Sequence, residues 1–234
     1  MNNILAEVRQ LKEHAKISRD RASKDPGRLE IAIEDLDEAI QLLNDEAAHT
    51  EDDNYMATLR RELADCYGMM GGIYRRKSLQ DNPTENLKKS LNMYEKGKVY
   101  ETDSSYNLSN TIVISILIDP KNLEMQQSTI LDGIKTIQEQ VRGKRGDQWW
   151  AWADLGLFNV LAGYNKAAFD AYEHFTLLGA RTKDYETTIS VLLQLRERLK
   201  GAEFKSSKEV SQLIEDVCEF LLSKKPEPEG AFWR

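Results

Sequence analysis

The side chains able to do chemistry in this 234-residue chain are scattered rather than gathered. Three histidines stand at His14, His49 and His174. None has a second ligand at the short helical spacing that brings two side chains to one metal ion. Cys66 and Cys218, the two cysteines of the chain, make neither a ligand cluster nor a disulfide framework, and read as small hydrophobes. The run Gly68-x2-Gly71-Gly72 lacks the G-x4-G-K-[ST] spacing and the preceding strand of a phosphate loop. Its glycines are expected to let helices approach closely. No G-x-S-x-G elbow is present, and a serine or cysteine nucleophile needs a base held beside it. Acidic pairs such as Glu34/Asp35 and Asp52/Asp53 read as solvated faces. The expectation is a chain without catalytic residues, metal or cofactor, and not an enzyme.

Two basic clusters remain. Arg75-Arg76-Lys77 ends one predicted helix, and Arg142, Lys144 and Arg145 end another and enter a loop. Cations at helix C-termini offset the negative end of the dipole. The other reading of both clusters is a site for an acidic peptide or a phosphate.

The elements that position these residues are helical. The five prolines, Pro26, Pro83, Pro120, Pro226 and Pro228, leave long stretches of good helix formers unbroken. Apolar residues recur at a period near 3.6, as in Leu29, Ile33, Leu36, Ile40 and Leu43. No segment alternates with the period of a strand. About ten helices are predicted, at about 3–21, 28–44, 53–76, 85–100, 104–118, 123–141, 148–162, 166–178, 184–200 and 206–223. Short loops between them imply antiparallel hairpins. The chain is 41% hydrophobic and 30% charged, so it can fill a core without staples. A net charge of −7 argues against a general binder of nucleic acid or anionic membrane. The apolar run Ile112–Ile118, broken by Ser115, is far short of the ~20 residues of a membrane span. It reads as a buried helix. The N-terminus lacks the apolar block of a signal peptide, and a cytoplasmic protein is expected.

One hairpin carries a specific pattern: Trp152-x2-Leu155-Gly156-x2-Asn159-x3-Gly163, followed by Ala168-x3-Tyr172. It resembles the tetratricopeptide repeat (TPR), a 34-residue helix–turn–helix with a W-x2-L-G-x2-Y core and a later A-x3-F pair. Small residues on each helix permit close approach, and the large ones fill the space around it. Asn159 and Ala180 depart from the family's usual Tyr and Pro. Tyr67-x2-Met70-Gly71-x2-Tyr74 with Ser90-x3-Tyr94-x2-Gly97 resembles the same motif more loosely, across a longer turn. The fold expected from this resemblance is all-α, with antiparallel helical hairpins stacked as a TPR-like right-handed solenoid. It would form a single domain over 1–223, followed by a flexible tail, 224–234. A narrower set, Tyr106-Asn107-Leu108-Ser109-Asn110, Tyr185-x2-Thr188 and Gln194-Leu195, resembles the TPR-type TRAF-binding regulatory region of mitogen-activated kinase kinase kinases and its bacterial relatives.

A solenoid binds on the concave face made by the first helix of each hairpin. With Trp152 in the conserved position of the motif, the inward residues of that helix are Trp150, Ala153, Leu157, Val160 and Leu161. The same register gives Asp65, Gly68, Gly72, Arg75 and Arg76 on the earlier repeat. It gives Glu186, Ser190, Leu193 and Gln194 later, and Asn107, Thr111 and Ser115 between. The residues expected to bind a protein or peptide are Arg75, Arg76, Asn107, Thr111, Trp150, Leu157, Glu186, Ser190 and Gln194. Gly68 and Gly72 stand where chaperone-binding members of the family place a carboxylate clamp, so that clamp is not expected. Trp149, Trp150 and Trp152 cannot share one face, and at least one of Trp149 and Trp150 should reach a surface or a junction. Phe232 and Trp233, beyond the last prolines, read either as a docking motif or as an incidental tail. The partners expected are a protein or peptide, with a homodimer left open, and neither nucleic acid nor membrane.

Overall fold

The helices begin and end where the local chemistry allows. In the computed structural model, which describes residues 4–100 and 105–227, eleven helices account for the regular structure, and no strand occurs among the described residues. They are α1 (Ile4–Arg21), α2 (Arg28–Ala47), α3 (Asp53–Lys77), α4 (Pro83–Tyr100), α5 (Tyr106–Ile118), α6 (Asn122–Met125), α7 (Gln127–Arg142), α8 (Trp149–Leu161), α9 (Asn165–Leu177), α10 (Thr182–Lys200) and α11 (Lys205–Lys224). Asp52 caps α3 by accepting from the amides of Asn54 at 2.9 Å and Tyr55 at 3.1 Å. α4 starts two residues earlier than expected, because Pro83 takes the first helical position, where a missing N–H costs nothing. Asn82 before it has φ of 39°, in the left-handed region that asparagine tolerates. Gly163, with φ of +74°, makes the turn between α8 and α9 as expected.

The predicted sixth helix is instead two, α6 and α7. They break at Gln126, whose φ of −104° and ψ of 13° leave the helix. The Gln126 side-chain amide donates to Ser115 Oγ at 2.6 Å, and Asn122 Nδ2 donates to the Ser115 carbonyl at 2.8 Å. These two bonds tie the short helix to the end of α5.

The chain divides into two compact units, Met1–Ile114 and Ser115–Arg234, with the division inside α5. In the first, α1 pairs with α2 and α3 with α4, and α2 also packs on α3. Val8, Ala15, Leu29, Leu36, Leu43, Leu59, Leu63 and Ile73 form its core. In the second, α8 pairs with α9 and α10 with α11, α7 lies on α8, and α11 touches α8 and α9. Ile130, Ile137, Phe158, Phe175, Leu192, Leu195, Ile214 and Leu221 are buried there. Each fully buried aliphatic or aromatic side chain contributes about 1.5–3 kcal/mol, against about 0–1 kcal/mol for an exposed ion pair. Packing of these hairpins, neighbour on neighbour, therefore holds an all-α helical repeat together. Along α5 the residues Thr111 to Ile116 are all buried, as the apolar run Ile112–Ile118 suggests.

Both signature hairpins close in the same way. A Cβ on Gly71 would stand 2.8–2.9 Å from the Tyr94 ring, and one on Gly156 2.7–2.9 Å from the Tyr172 ring. In each pair the glycine of the first helix receives the aromatic face of the second. Ser90, in the place of Ala168, donates its hydroxyl to the Gly71 carbonyl at 2.8 Å. Trp152 behaves differently from a core filler. It is half-buried, donates Nε1 to the Gly146 carbonyl at 2.9 Å and meets the His174 ring at a tilt of 58°, with centroids 4.1 Å apart. The indole N–H needs an acceptor, and the 143–148 loop supplies one at the rim.

Candidate binding faces

On the first unit, the α3 residues Asp65, Gly68, Gly72, Arg75 and Arg76 follow one another along one face, as their spacing requires. At one end of it, Lys12 of α1 is 9% exposed and reaches both Glu62, at 2.7 Å, and Asp65. Burial opposes its charge, but the two carboxylates outweigh burial and raise its pKa. Sequence reasoning missed this residue. Its signal was a lysine between Val8 and Ala15 on the apolar stripe of α1.

At the other end stand the arginines. Arg75 is half-buried, and burial lowers its guanidinium pKa. Arg76 is exposed and donates Nη1 to the Arg19 carbonyl at 3.4 Å, with Asp20 Oδ1 at 3.8 Å. Arg19 donates Nε to the same Asp20 oxygen at 3.0 Å. Burial and the nearby Arg19 charge both lower the pKa of Arg76. Lys77, read from sequence as part of this cluster, leaves it. It pairs with Glu30 of α2, which raises its pKa.

Two tyrosines sit beside the arginines. The ring of Tyr94 on α4 is 1% exposed and meets Tyr106 on α5 edge-on, with centroids 6.0 Å apart. Their hydroxyls are hydrogen-bonded, and burial raises both pKa values. Asn107 and Thr111, expected on the binding face, are buried instead. Asn107 donates Nδ2 to the Ala64 carbonyl at 3.3 Å and fills the space left by Gly97 and Gly68. Thr111 Oγ1 donates to the Asn107 carbonyl at 2.8 Å. Asn107 thereby ties α5 to α3, while the Thr111 bond stays within α5.

On the second unit, α8 separates its tryptophans. Trp149 turns its edge toward Phe175, at 5.8 Å, while Trp150 stays 40% exposed beneath the Arg145 guanidinium, 5.4 Å from the ring centroid. Arg145 also donates Nε to Gln148 Oε1 at 3.0 Å, which fixes the loop before α8. Leu157 is 8% exposed and belongs to the core side. On α10, Glu186 and Ser190 are exposed, Gln194 is half-buried, and Gln194 Nε2 donates to Ser190 Oγ at 3.3 Å. Glu186 accepts from Lys225 Nζ at 2.7 Å, and Thr182 donates to the Pro226 carbonyl at 3.2 Å. Residues 225–227 thus lie against the start of α10, whereas Phe232 and Trp233 lie outside the described residues.

The groups that sequence reading set aside as chemistry are structural in their contacts. Cys66 and Cys218 are buried free thiols, and burial pushes their pKa values to about 12 and about 11. His14 and His49 are exposed; His14 Nδ1 meets Asp35 Oδ2 at 2.8 Å, and His49 Nδ1 meets the Asp45 carbonyl at 2.6 Å. Among the described residues no group of three or more His, Cys, Asp or Glu side chains could hold a metal, and no helix is long and apolar enough to cross a membrane.

Residues 4–115 match the family model described as Tetratricopeptide Repeats-Sensor, TPR-S. The first unit is a repeat of the tetratricopeptide type. Comparisons with curated proteins and with solved structures find no match. The TPR match covers α1 to α4 and most of α5, so the arginines and tyrosines of the α3 face all fall inside it. TPR-type repeats are in general protein-interaction scaffolds, and this chain has their helical build.

Proposed function

We propose that this protein is a non-enzymatic adaptor that binds a protein or peptide segment on the first-helix faces of its TPR-type array. The observation that carries the reading is the α3 face of the first unit. There Gly72 is partly open and carries no side chain of its own, and Arg75 and Arg76 stand at the end of the same face. On the second unit, Trp150 with Arg145 above it offers an aromatic anchor of the kind enriched at interaction hot spots. The test is affinity capture from the native host, read by mass spectrometry. Arg75→Glu with Arg76→Glu, and separately Trp150→Ala, should reduce capture while circular dichroism shows unchanged helix content. Capture that neither variant changes overturns the assignment of these faces.

A second reading is favoured by the description of the matched family as a sensor. In it the protein is a regulatory module that controls a separately encoded effector enzyme in stress or defence signalling. It predicts stoichiometric co-purification with a larger enzyme whose activity changes when the protein is added. Recovery of unrelated peptides or chaperones alone refutes it.

A further inference from the structure

In the second unit the chain's own C-terminal segment reaches a first-helix face. Residues 225–227 leave the end of α11, the second helix of its hairpin, and lie against the start of α10, the first. Two contacts hold them: Lys225 Nζ donates to Glu186 Oε1 at 2.7 Å, and Thr182 Oγ1 donates to the Pro226 carbonyl at 3.2 Å. Glu186 is one of the residues that the motif register assigns to the binding face. It is met here by a cation of the same chain.

The exposed anchor near this contact is Trp150, with 40% of its surface open. A series of rings joins the first turns of α8 and α10. Trp150 meets Trp149 with centroids 6.4 Å apart, Trp149 meets Phe175 at 5.8 Å, and Phe175 meets Tyr185, the neighbour of Glu186, at 4.9 Å. Arg142 and Lys144, both exposed, precede Trp150 in the connection from α7. The approach to the indole is therefore locally basic in a chain of net charge −7.

The sequence beyond Pro226 matches this surface in charge, apolar content and length. Glu227 and Glu229 offer carboxylates to the basic approach, and Phe232 and Trp233 offer two rings to an exposed indole. Extended chain advances about 3.3–3.6 Å per residue, so Phe232, six residues beyond Pro226, has a reach of about 20 Å. That is enough to pass along the series of rings from Tyr185 to Trp150. Proline favours extended backbone, and Pro226 and Pro228 stand where the distance must be covered.

We infer that residues 228–234, which lie beyond the described residues, fold back in cis onto the Trp150 end of this face. Phe232 and Trp233 pack on the Trp150 indole, Glu229 faces Arg142 and Lys144, and the segment competes with a bound partner for the anchor. The inference rests on the proposed role of Trp150 and adds an occupant for it.

The test labels the full-length protein with 5-fluorotryptophan and follows the fluorine signals of Trp150, Trp152 and Trp233, assigned with single Trp→Phe variants. A synthetic peptide of residues 224–234 supplies the undocked Trp233 signal. In the native chain Trp233 should differ from the peptide, and Trp150→Ala should bring it to the peptide position. Phe232→Ala should shift Trp150 and leave Trp152 in place. Glu186→Lys, which breaks the Lys225 contact without altering either indole, should move Trp150 and Trp233 toward their undocked positions. All of these shifts should be independent of protein concentration. A native Trp233 signal at the peptide position, or one that Trp150→Ala leaves unmoved, overturns the inference. A shift that disappears on dilution assigns the contact to a second copy and overturns it too. In affinity capture, Phe232→Ala with Trp233→Ala should raise severalfold the recovery of any partner that Trp150→Ala loses. Level or lower recovery overturns the competition. The fluorine signals need no partner, so they decide the docking even where the binding reading fails.

Discussion

Two tyrosines in equivalent places differ by one hydrogen bond, and that difference can be measured. Tyr94 and Tyr172 each cover the glycine of a signature hairpin, yet the Tyr94 hydroxyl pairs with Tyr106 whereas the buried Tyr172 hydroxyl has no partner. A buried polar group without a partner is destabilising, and a satisfied one contributes about 0.5–1.5 kcal/mol. Tyr172→Phe should therefore leave the urea midpoint unchanged or raise it, while Tyr94→Phe should lower stability by about 1 kcal/mol. A loss in Tyr172→Phe equal to that in Tyr94→Phe would refute the contrast. Lys12 provides a second case at this scale. Lys12→Met keeps the aliphatic stem but leaves Glu62 and Asp65 facing each other without a cation. The expected cost is about 1–3 kcal/mol, read from chemical denaturation, with partial recovery when Asp65→Asn is added. No recovery in the double variant would mean that the loss comes from packing alone.

At the scale of elements, the glycine–tyrosine contacts decide how closely α3 and α4, and α8 and α9, can lie. Gly71→Ala and Gly156→Ala each place a methyl group less than 3 Å from a buried ring. Overpacking of this kind costs about 1–3 kcal/mol. Each variant should lose that much by urea titration, whereas Gly201→Ala, with nothing within 4 Å, should not. These contacts were readable from spacing, because a small residue on one helix and an aromatic on the next recur at fixed offsets. The helices were readable for a similar reason: apolar period and proline placement are local properties. The break at Gln126 was not, since no glycine or proline marks it and its cause is a hydrogen bond to Ser115 on another helix. The candidate face divided in the same way. Arg75, Arg76 and Trp150 followed from the register of a motif. Arg19 did not, because α1 carries no signature. Asn107 and Thr111 were placed on the face by that register, but side-chain-to-backbone bonds within the first unit take them inside.

Over the whole molecule the buried acidic protons set the direction in which stability changes with pH. Burial raises the thiol pKa from its ordinary 9.0 to about 12 at Cys66 and to about 11 at Cys218. Burial also lifts Tyr94 and Tyr172 well above 10.0. Below pH about 9 these groups are protonated in both folded and unfolded chains, and they leave stability unchanged as pH varies. Above it the unfolded chain releases protons that the folded one still holds, so stability falls as pH rises through the native values. Lys12 acts in the same direction. Its pKa is raised from 10.5 by Glu62 and Asp65, so the stabilisation from its charge is full at neutral pH and is lost as that raised value is passed. The urea midpoint should be nearly flat between about pH 6.5 and 8.5 and should decline steeply between about pH 9 and 11, with an unchanged denaturant slope. The same desolvation should make both thiols inert to a disulfide reagent at pH 8 until denaturant is added, because the thiolate is the reactive form. A midpoint that stays constant to pH 11, with thiols that react in the native protein within seconds, would mean that the hairpins around Cys66 and Cys218 open to water far more readily than their packing implies.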